Sequence, residues 1–430
     1  MLSAADNEML TRTGAATPMG QLFRRFWQPV ALSRELPDPD GTPLRVQLLG
    51  ENLLAFRDTK GRVGLVHPRC PHRGADLYFG RNEECGLRCV FHGWKFDVNG
   101  KATDLPNVHP DSNYHETMSI KAYLTREFGD IIWAWLGPQD NVPELPELEF
   151  GMLPEPQRFV TKKFQRCNWA QALEGALDTS HFSFLHMPAP SVPSNANPDA
   201  PADERRLRWI RNDPMPAFTI TEHEVGFVVG GARRADGNEL YWRSAQFAVP
   251  SHSTTPSTLP GENYFGYTFV PHDDYSCWVY TYVWNPEREI SEEERAQLHT
   301  GFGVVAEVDE QYMPVRNLDN NYLIDRANQK TATYSGVRGV AEQDAMIQES
   351  QGGISDRTTE HLTNTDVAIV RFRRTMLGLA KALTNGQEPE APQHHSAFRL
   401  RSGSWVAEQQ VPFSDVMRAR FGDPVGRASP

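Results

Sequence analysis

Cys70-Pro71-His72-Arg73-Gly74 and Cys89-Val90-Phe91-His92-Gly93-Trp94, with sixteen residues between His72 and Cys89, form the strongest pattern in the chain. Each half offers one thiolate and one imidazole, ligands suited to zinc or to iron–sulfur chemistry. A glycine follows each histidine within two residues, so the backbone can turn tightly beside a bulky group. The spacing implies two facing loops that grip one cofactor.

Two metal readings compete for these four residues. A tetrahedral Cys₂His₂ zinc site is one, but zinc fingers usually pair Cys with Cys and His with His along the chain. Mixed pairs fit a [2Fe–2S] cluster with two cysteines on one iron and two histidines on the other, the Rieske arrangement. A third reading, residues that only pack, is disfavoured by the repeated Cys-x(1–2)-His spacing. Cys85 has no partner histidine and is assigned a structural role; the remaining cysteines, Cys167 and Cys277, stand far from the cluster in sequence. Five sparse cysteines make a disulfide framework improbable.

Outward from the motif, RVQLLG, NLLAF, VGLVH, CVFHGWKFD and DIIWAWLG read as short strands broken by turns such as Asp97-Val98-Asn99-Gly100. This predicts a small all-β domain over 41–137, preceded by an N-terminal helical segment, 1–40. Pro143, Pro146 and Pro154 mark a linker, 138–160. Cys167 to Leu185 is helical in pattern and leads into a Pro-rich excursion, 187–203. AFTITEH, GFVVGGARR, ELYWRSAQFAV, NYFGYTFV and SCWVYTYVW then read as an antiparallel meander, with a hairpin turn at Ala235-Asp236-Gly237-Asn238. Ile369, Phe372, Met376, Leu379 and Leu383 recur at helical steps, and Asn385-Gly386 supplies the stop. The fold class is therefore α+β, with a second domain, 161–430, of sheet covered by long helices in a helix-grip arrangement.

The chain has 430 residues, 39% of them apolar, enough for two domains. A formal charge of −12 excludes a basic nucleic-acid footprint. No apolar run reaches bilayer length and the first residues lack a signal-peptide core, so a soluble cytoplasmic protein is expected.

A second constellation lies at Asn168-Trp169-Ala170-Gln171-Ala172-Leu173-Glu174-Gly175-Ala176-Leu177-Asp178-Thr179-Ser180-His181, followed by His186. Gln171, Glu174, Asp178 and His181 fall on one face of a regular helix. His181 and His186 are about 140° out of phase on such a helix, so one metal can take both only if the helix ends or bulges between them. Two histidines and one carboxylate make the facial triad of non-haem Fe(II) oxygenases. The competing reading is an amphipathic helix with satisfied core histidines. Spacing does not choose the third ligand among Asp309, Asp319, Asp325, Asp344, Asp356 and Asp366.

CPHRG…CVFHGWKFD resembles the Rieske domain of the ring-hydroxylating oxygenases, and TPMGQLFRRFWQPVALSRELP with the downstream segments is similar to their phthalate-dioxygenase branch, over most of the chain. The resemblance implies that Cys70, His72, Cys89 and His92 hold the cluster, and that His181 and His186, from a D-x-x-H-x-x-x-x-H motif, hold a mononuclear Fe(II). It selects Asp344 as the third ligand. It gives Asp178 a linking role between His181 and a cluster histidine, His92, of a neighbouring subunit, with Asn168 and Glu174 as supporting residues. A homotrimer, or a stacked hexamer, is what the resemblance implies.

On the strand from Leu240 to Val249, parity puts Tyr241, Arg243, Ala245 and Phe247 on one face, and an inward Arg there calls for a carboxylate. Arg211 and Arg243 resemble by position the residues that grip substrate acids in phthalate dioxygenases; the rival view is that both snorkel at the surface. The expected activity is dihydroxylation of an aromatic carboxylate (phthalate, isophthalate or a substituted benzoate) with O₂. Electrons would come from NADH through a separate flavin and iron–sulfur reductase, because the chain has no Gly-rich dinucleotide fingerprint. A Rieske monooxygenase or O-demethylase, and a non-enzymatic metal-binding or electron-transfer protein, are the alternatives.

Overall fold

The computed structural model describes residues 1–194, 202–256 and 262–422, so part of the Pro-rich excursion, 195–201, lies outside the described residues. The N-terminal segment is helical at Ala4–Thr11 and Pro18–Phe23. Thr17 caps the second helix, accepting from the Gly20 amide, and Pro18 stands at the first helical position where its missing donor costs nothing. The segment is not helical throughout: β1 (Gln28–Leu32) follows and joins a six-stranded antiparallel sheet.

That sheet also contains β2 (Leu44–Leu48), β3 (Glu51–Arg57) and β4 (Val63–Val66). Four short strands, β5 (Arg81–Glu83), β6 (Gly86–Arg88), β7 (Lys95–Phe96) and β8 (Ala102–Asp104), form a separate small sheet that carries the cysteine–histidine loops. Its β7–β8 turn is the expected one, with the Asp97 carboxylate accepting from the amides of Asn99 and Lys101 and Gly100 at φ +76°. The chain then returns through β9 (Ala122–Phe128) and β10 (Ile131–Trp135) to give the order β1-β10-β9-β4-β3-β2. Every residue of β10 is buried, which is why Ile-Ile-Trp-Ala-Trp is apolar without alternation.

The stretch expected as a linker holds a helical turn at Glu149–Met152, and from Arg158 it is already strand. This β11 (Arg158–Gln165) opens a second sheet with β12 (Ala217–His223), β13 (Gly226–Arg234), β14 (Glu239–Ala248), β15 (His252–Thr255), β16 (Tyr264–Pro271) and β17 (Cys277–Trp284). The order is β11-β17-β16-β15-β14-β13-β12, antiparallel throughout, and β18 (Ser404–Glu408) pairs with the first half of β14. The five strands read from the sequence are among them, and the β13–β14 hairpin turns where expected.

Three helices serve the site: α1 (Trp169–Leu177), α2 (Val340–Ser350) and α3 (Val367–Thr384). α3 buries Ile369, Phe372, Met376 and Ala380 and stops before Gly386, at φ +84°. α1 is sandwiched between the sheet and α3. Trp169 is fully buried, edge-on to Phe23 at 4.8 Å and to Phe372 at 5.7 Å, so the N-terminal segment and the covering helix share one core with the large sheet. No helix among the described residues is long and apolar enough to cross a membrane.

Candidate metal centres and substrate cavity

The two cysteine–histidine loops have the same backbone architecture. The Cys70 amide donates to the Ala75 carbonyl at 2.8 Å and the Gly74 amide to the Cys70 carbonyl at 2.9 Å; in the second loop Cys89 donates to Trp94 at 2.8 Å and Gly93 to Cys89 at 2.9 Å. Gly74 and Gly93 both take positive φ, +74° and +77°, where a side chain would strain the turn. The loops bring Cys70 and Cys89 together, buried, and place the His72 and His92 rings 4.4 Å apart. Trp94 stacks on His72 at 4.7 Å.

Like residues thus meet in pairs, thiol with thiol and imidazole with imidazole, as a two-iron cluster with unlike ends demands. Two observations fit a bound cationic centre. The buried His72 Nδ1 has no hydrogen-bond partner among the described residues. Burial, with Cys89 adjacent, pushes the Cys70 thiol up to about 11, a penalty that metal coordination removes. Cys85 sits at the β5–β6 turn with φ +63°, outside this constellation.

The second constellation forms because α1 ends early. The Asp178 amide closes α1 on the Glu174 carbonyl at 3.1 Å, and its Oδ1 accepts from the Ser180 amide at 2.7 Å and the Ser180 hydroxyl at 2.6 Å. This side-chain turn diverts the backbone before His181, which begins a new short turn, His181–Ser183. Arg233, wholly buried, clamps the diverted loop by donating to the Thr179 carbonyl at 2.8 Å and the Ser183 hydroxyl at 3.2 Å. The expectation of one polar helix face through His181 is therefore corrected: the helix ends, and the phase conflict between His181 and His186 disappears.

His181 Nε2 and His186 Nε2 stand 2.9 Å apart, and Asp344 Oδ1 lies 3.5 Å from the first and 3.2 Å from the second. Metal bonds of about 2.1 Å at right angles separate neighbouring ligand atoms by about 3.0 Å, so this triangle fits one face of an octahedron. Among the described residues it is the one group of His, Cys, Asp or Glu with ligand atoms so converged. Asp344 rides on α2, whose start at Gly339 (φ +84°) lies where a Cβ would collide with the Gly301 carbonyl.

The other ring nitrogens fix the imidazoles. His186 Nδ1 is 2.6 Å from Gln343 Oε1, and Gln343 Nε2 donates to the Val337 carbonyl at 2.8 Å. With its amide so oriented, Gln343 offers an acceptor and His186 carries its proton on Nδ1. His181 Nδ1 faces Asp178 Oδ2 at 3.5 Å. The two Nε2 lone pairs therefore point at each other and at a carboxylate, an arrangement that a cation relieves. Burial opposes ionisation of Asp344 and Asp178, yet the adjacent imidazoles outweigh it and hold both acids below the usual carboxylate range.

A cavity of about 190 Å³ opens on this triangle, walled by Ala172, Ala176, Phe265, Phe269 and Val279. Arg243 and Ala245 line it together, as strand parity predicts. Arg243 is 5% exposed, lies over the Phe182 ring at 3.9 Å, and its guanidinium makes no hydrogen bond or ion pair among the described residues.

Three expected residues are elsewhere. Arg211, in the last turn of the helix Ala202–Asn212, donates to the Val192 carbonyl at 2.8 Å and is not in the cavity wall, because Trp209 and Ile210 of that helix pack on Met187 and Tyr241. Asn168 caps α1 and donates to the carbonyls of Thr11 and Asp274. Glu174 faces α3, paired with Arg373 at 2.8 Å and Arg357 at 3.2 Å. Both serve the fold around the site. Lys163, Gln343 and Arg233 carry no local sequence signal that sets them apart; Lys163 lies on β11, where four consecutive residues, Val160 to Lys163, are buried.

Residues 26–123 match the Rieske [2Fe-2S] domain, and residues 134–405 match the LigXa C-terminal domain like family. The chain is 36% identical over 394 residues to the phthalate 4,5-dioxygenase oxygenase subunit of Pseudomonas putida, covering 90% of this chain and 88% of that protein. It is 34% identical over 438 residues to the 3-chlorobenzoate-3,4-dioxygenase oxygenase subunit of Comamonas testosteroni, covering 98% and 99%. Its fold is shared with the QL mutant of NdmA of Pseudomonas putida CBB5, solved with caffeine, at a TM-score of 0.59 and 17% identity over 92% of this chain and all of that one. With a Rieske domain ahead of a mononuclear-iron catalytic domain, the chain belongs to the Rieske non-haem iron oxygenases, as an oxygenase component of the kind that acts in aromatic catabolism.

Proposed function

We propose that this chain cis-dihydroxylates a single-ring aromatic carboxylate, as the terminal oxygenase of a multicomponent system. The observation that carries the reading is Arg243: a buried guanidinium with no hydrogen-bond or ion-pair partner among the described residues, in the wall of the cavity that opens on His181, His186 and Asp344. An uncompensated buried charge costs several kcal/mol, so the cavity favours an anion, and a guanidinium takes a carboxylate through two parallel hydrogen bonds. Phe182 fixes the guanidinium plane. A dry cavity of roughly 150 Å³ accepts one benzene ring, so about 190 Å³ suits a ring with small substituents. The relatives named as phthalate and 3-chlorobenzoate dioxygenase subunits support an aromatic acid.

In this reading Cys70, His72, Cys89 and His92 hold the cluster and His181, His186 and Asp344 the mononuclear iron; when bound, these centres supply single electrons and open coordination positions for O₂. Gln343 and Asp178 orient the two imidazoles. The apolar wall excludes water from the ring. Asp178 keeps Oδ2 free of the Ser180 turn, and this oxygen links His181 to the cluster of a neighbouring copy in a homotrimer or stacked hexamer. The exposed Phe79, Val90 and Phe91 beside the cluster loops give such a neighbour an apolar surface to cover. A separate NADH-dependent reductase feeds the cluster.

The test is turnover of phthalate isomers, benzoate and halobenzoates under ¹⁸O₂ with a surrogate reductase. A dihydrodiol with both oxygens labelled supports the proposal. A product carrying one labelled oxygen, or formaldehyde release from a methoxylated acid alone, replaces it with monooxygenation or O-demethylation.

A further inference from the structure

We propose that Lys163 is a second anion anchor in the cavity and selects aromatic rings that carry an acidic group on the side remote from Arg243. The proposal rests on the aromatic-acid reading above and names the substrate class within it.

Lys163 is 7% exposed and lines the same cavity as Arg243. Its Nζ donates to the Ala341 carbonyl at 2.8 Å and forms no ion pair among the described residues. An ammonium has three donors, so two remain for a ligand. Lys162, on the opposite face of β11, shows how a structural lysine is satisfied in this fold: it pairs with Glu35 at 2.6 Å and sits over the Trp278 ring. Two acids, Asp344 and Glu342, feel the charge of Lys163. Asp344 is turned to His181 and His186. Glu342 accepts from the Glu307 amide at 3.0 Å and lies 3.8 Å from Arg316, while its other oxygen has no hydrogen-bond partner among the described residues.

The sheet register sets the two cations apart on the same face of the sheet. Gln246 of β14 pairs with Thr254, Thr254 with Gly266, Gly266 with Tyr282, and Tyr282 with Val160 of β11. Four antiparallel steps leave β14 and β11 running in the same direction. Arg243 precedes its row by three residues and Lys163 follows it by three, which makes them diagonal to one another across the sheet. Lys163 and Arg243 line the same cavity as His181, His186 and Asp344, so both cations face the space above the iron ligands. Two acid groups on adjacent carbons cannot reach both cations; groups set across the ring can.

The experiment measures binding of benzoate, phthalate, isophthalate and terephthalate to the metal-loaded oxygenase by calorimetry, in the wild type and in Lys163→Met, Lys163→Arg and Arg243→Met. The expected result is that isophthalate or terephthalate binds at least tenfold tighter than benzoate and phthalate. Lys163→Met removes that advantage while shifting benzoate less than twofold, and Lys163→Arg keeps it. If no diacid is preferred, or if Lys163→Met weakens benzoate and diacids equally, Lys163 only balances Glu342 and the proposal is overturned, although benzoate binding still lost in Arg243→Met would leave the aromatic-acid reading standing. Absence of binding by every acid overturns both. Should Lys163→Met unfold, the comparison of Lys163→Arg with Lys163→Gln decides on the same criterion.

Discussion

His181 and His186 face each other through their Nε2 atoms at 2.9 Å, and each ring has its remaining nitrogen directed at an acceptor, Asp178 in one case and Gln343 in the other. Two neutral imidazoles so held repel unless a cation lies between them. Replacing His186 with Ala is expected to lower iron from about three to about two atoms per chain, with the cluster's visible spectrum retained. Iron assay with absorbance of the same sample checks both halves of this expectation.

Gln343 acts through His186. Gln343→Leu removes the acceptor at 2.6 Å and frees the ring to rotate, and loss of such a partner costs roughly 10–100-fold in metal affinity. Gln343→Glu keeps an acceptor and is expected to stay close to the wild type. Iron retention during dialysis against a chelator measures the difference.

Arg243→Met replaces the guanidinium with an apolar chain of similar reach. Truncating one partner of a buried charge pair costs about 2–5 kcal/mol, so KM for an aromatic acid is expected to rise at least about 30-fold. Affinity for an uncharged ring such as toluene should not fall. An unchanged KM for the acid removes Arg243 from substrate recognition.

Glu174 ties α1 to α3 through Arg373 and to the segment between α2 and α3 through Arg357, and Asn7 also bonds Arg357, which anchors the N-terminal segment to the same cluster. Burial opposes the Glu174 charge, but the two guanidinium groups outweigh it and depress its pKa. A depressed carboxylate contributes stability that is present above its unfolded pKa, about 4.3, and is lost as pH falls through the folded value. Glu174→Gln leaves buried Arg357 without a carboxylate and Arg373 with Glu360 alone, and is expected to destabilise by about 3 kcal/mol near neutral pH. The gap should narrow in melts below about pH 4; a gap constant with pH contradicts this account.

The cluster loops were legible in sequence because the chemistry demands adjacent Cys and His, and tight turns demand the glycines that follow. The β14 face was legible because strand parity is rigid, and it put Arg243 and Ala245 in one wall. The polar face of α1 misled for a physical reason. Gln171, Glu174 and Asp178 do recur at helical steps, but they serve three separate tasks: Gln171 accepts from the Ser355 amide, Glu174 pairs with arginines, and Asp178 ends the helix. Long-range partners such as Arg357 and Arg373 cannot be read from local spacing. Asp344, more than 150 residues from His186, needed the family resemblance, since several acids fitted equally well. Lys163 was obscured because β11 begins inside a Pro-rich stretch that reads as linker.

The claim on which the rest depends is that one chain carries a two-iron cluster and a separate single iron. Iron and acid-labile sulfide should be counted per chain in anaerobically reconstituted protein. The account expects about three irons and about two sulfides, falling to about two and two when Asp344 is replaced with Ala. Zinc in place of iron, or iron without sulfide, would contradict it.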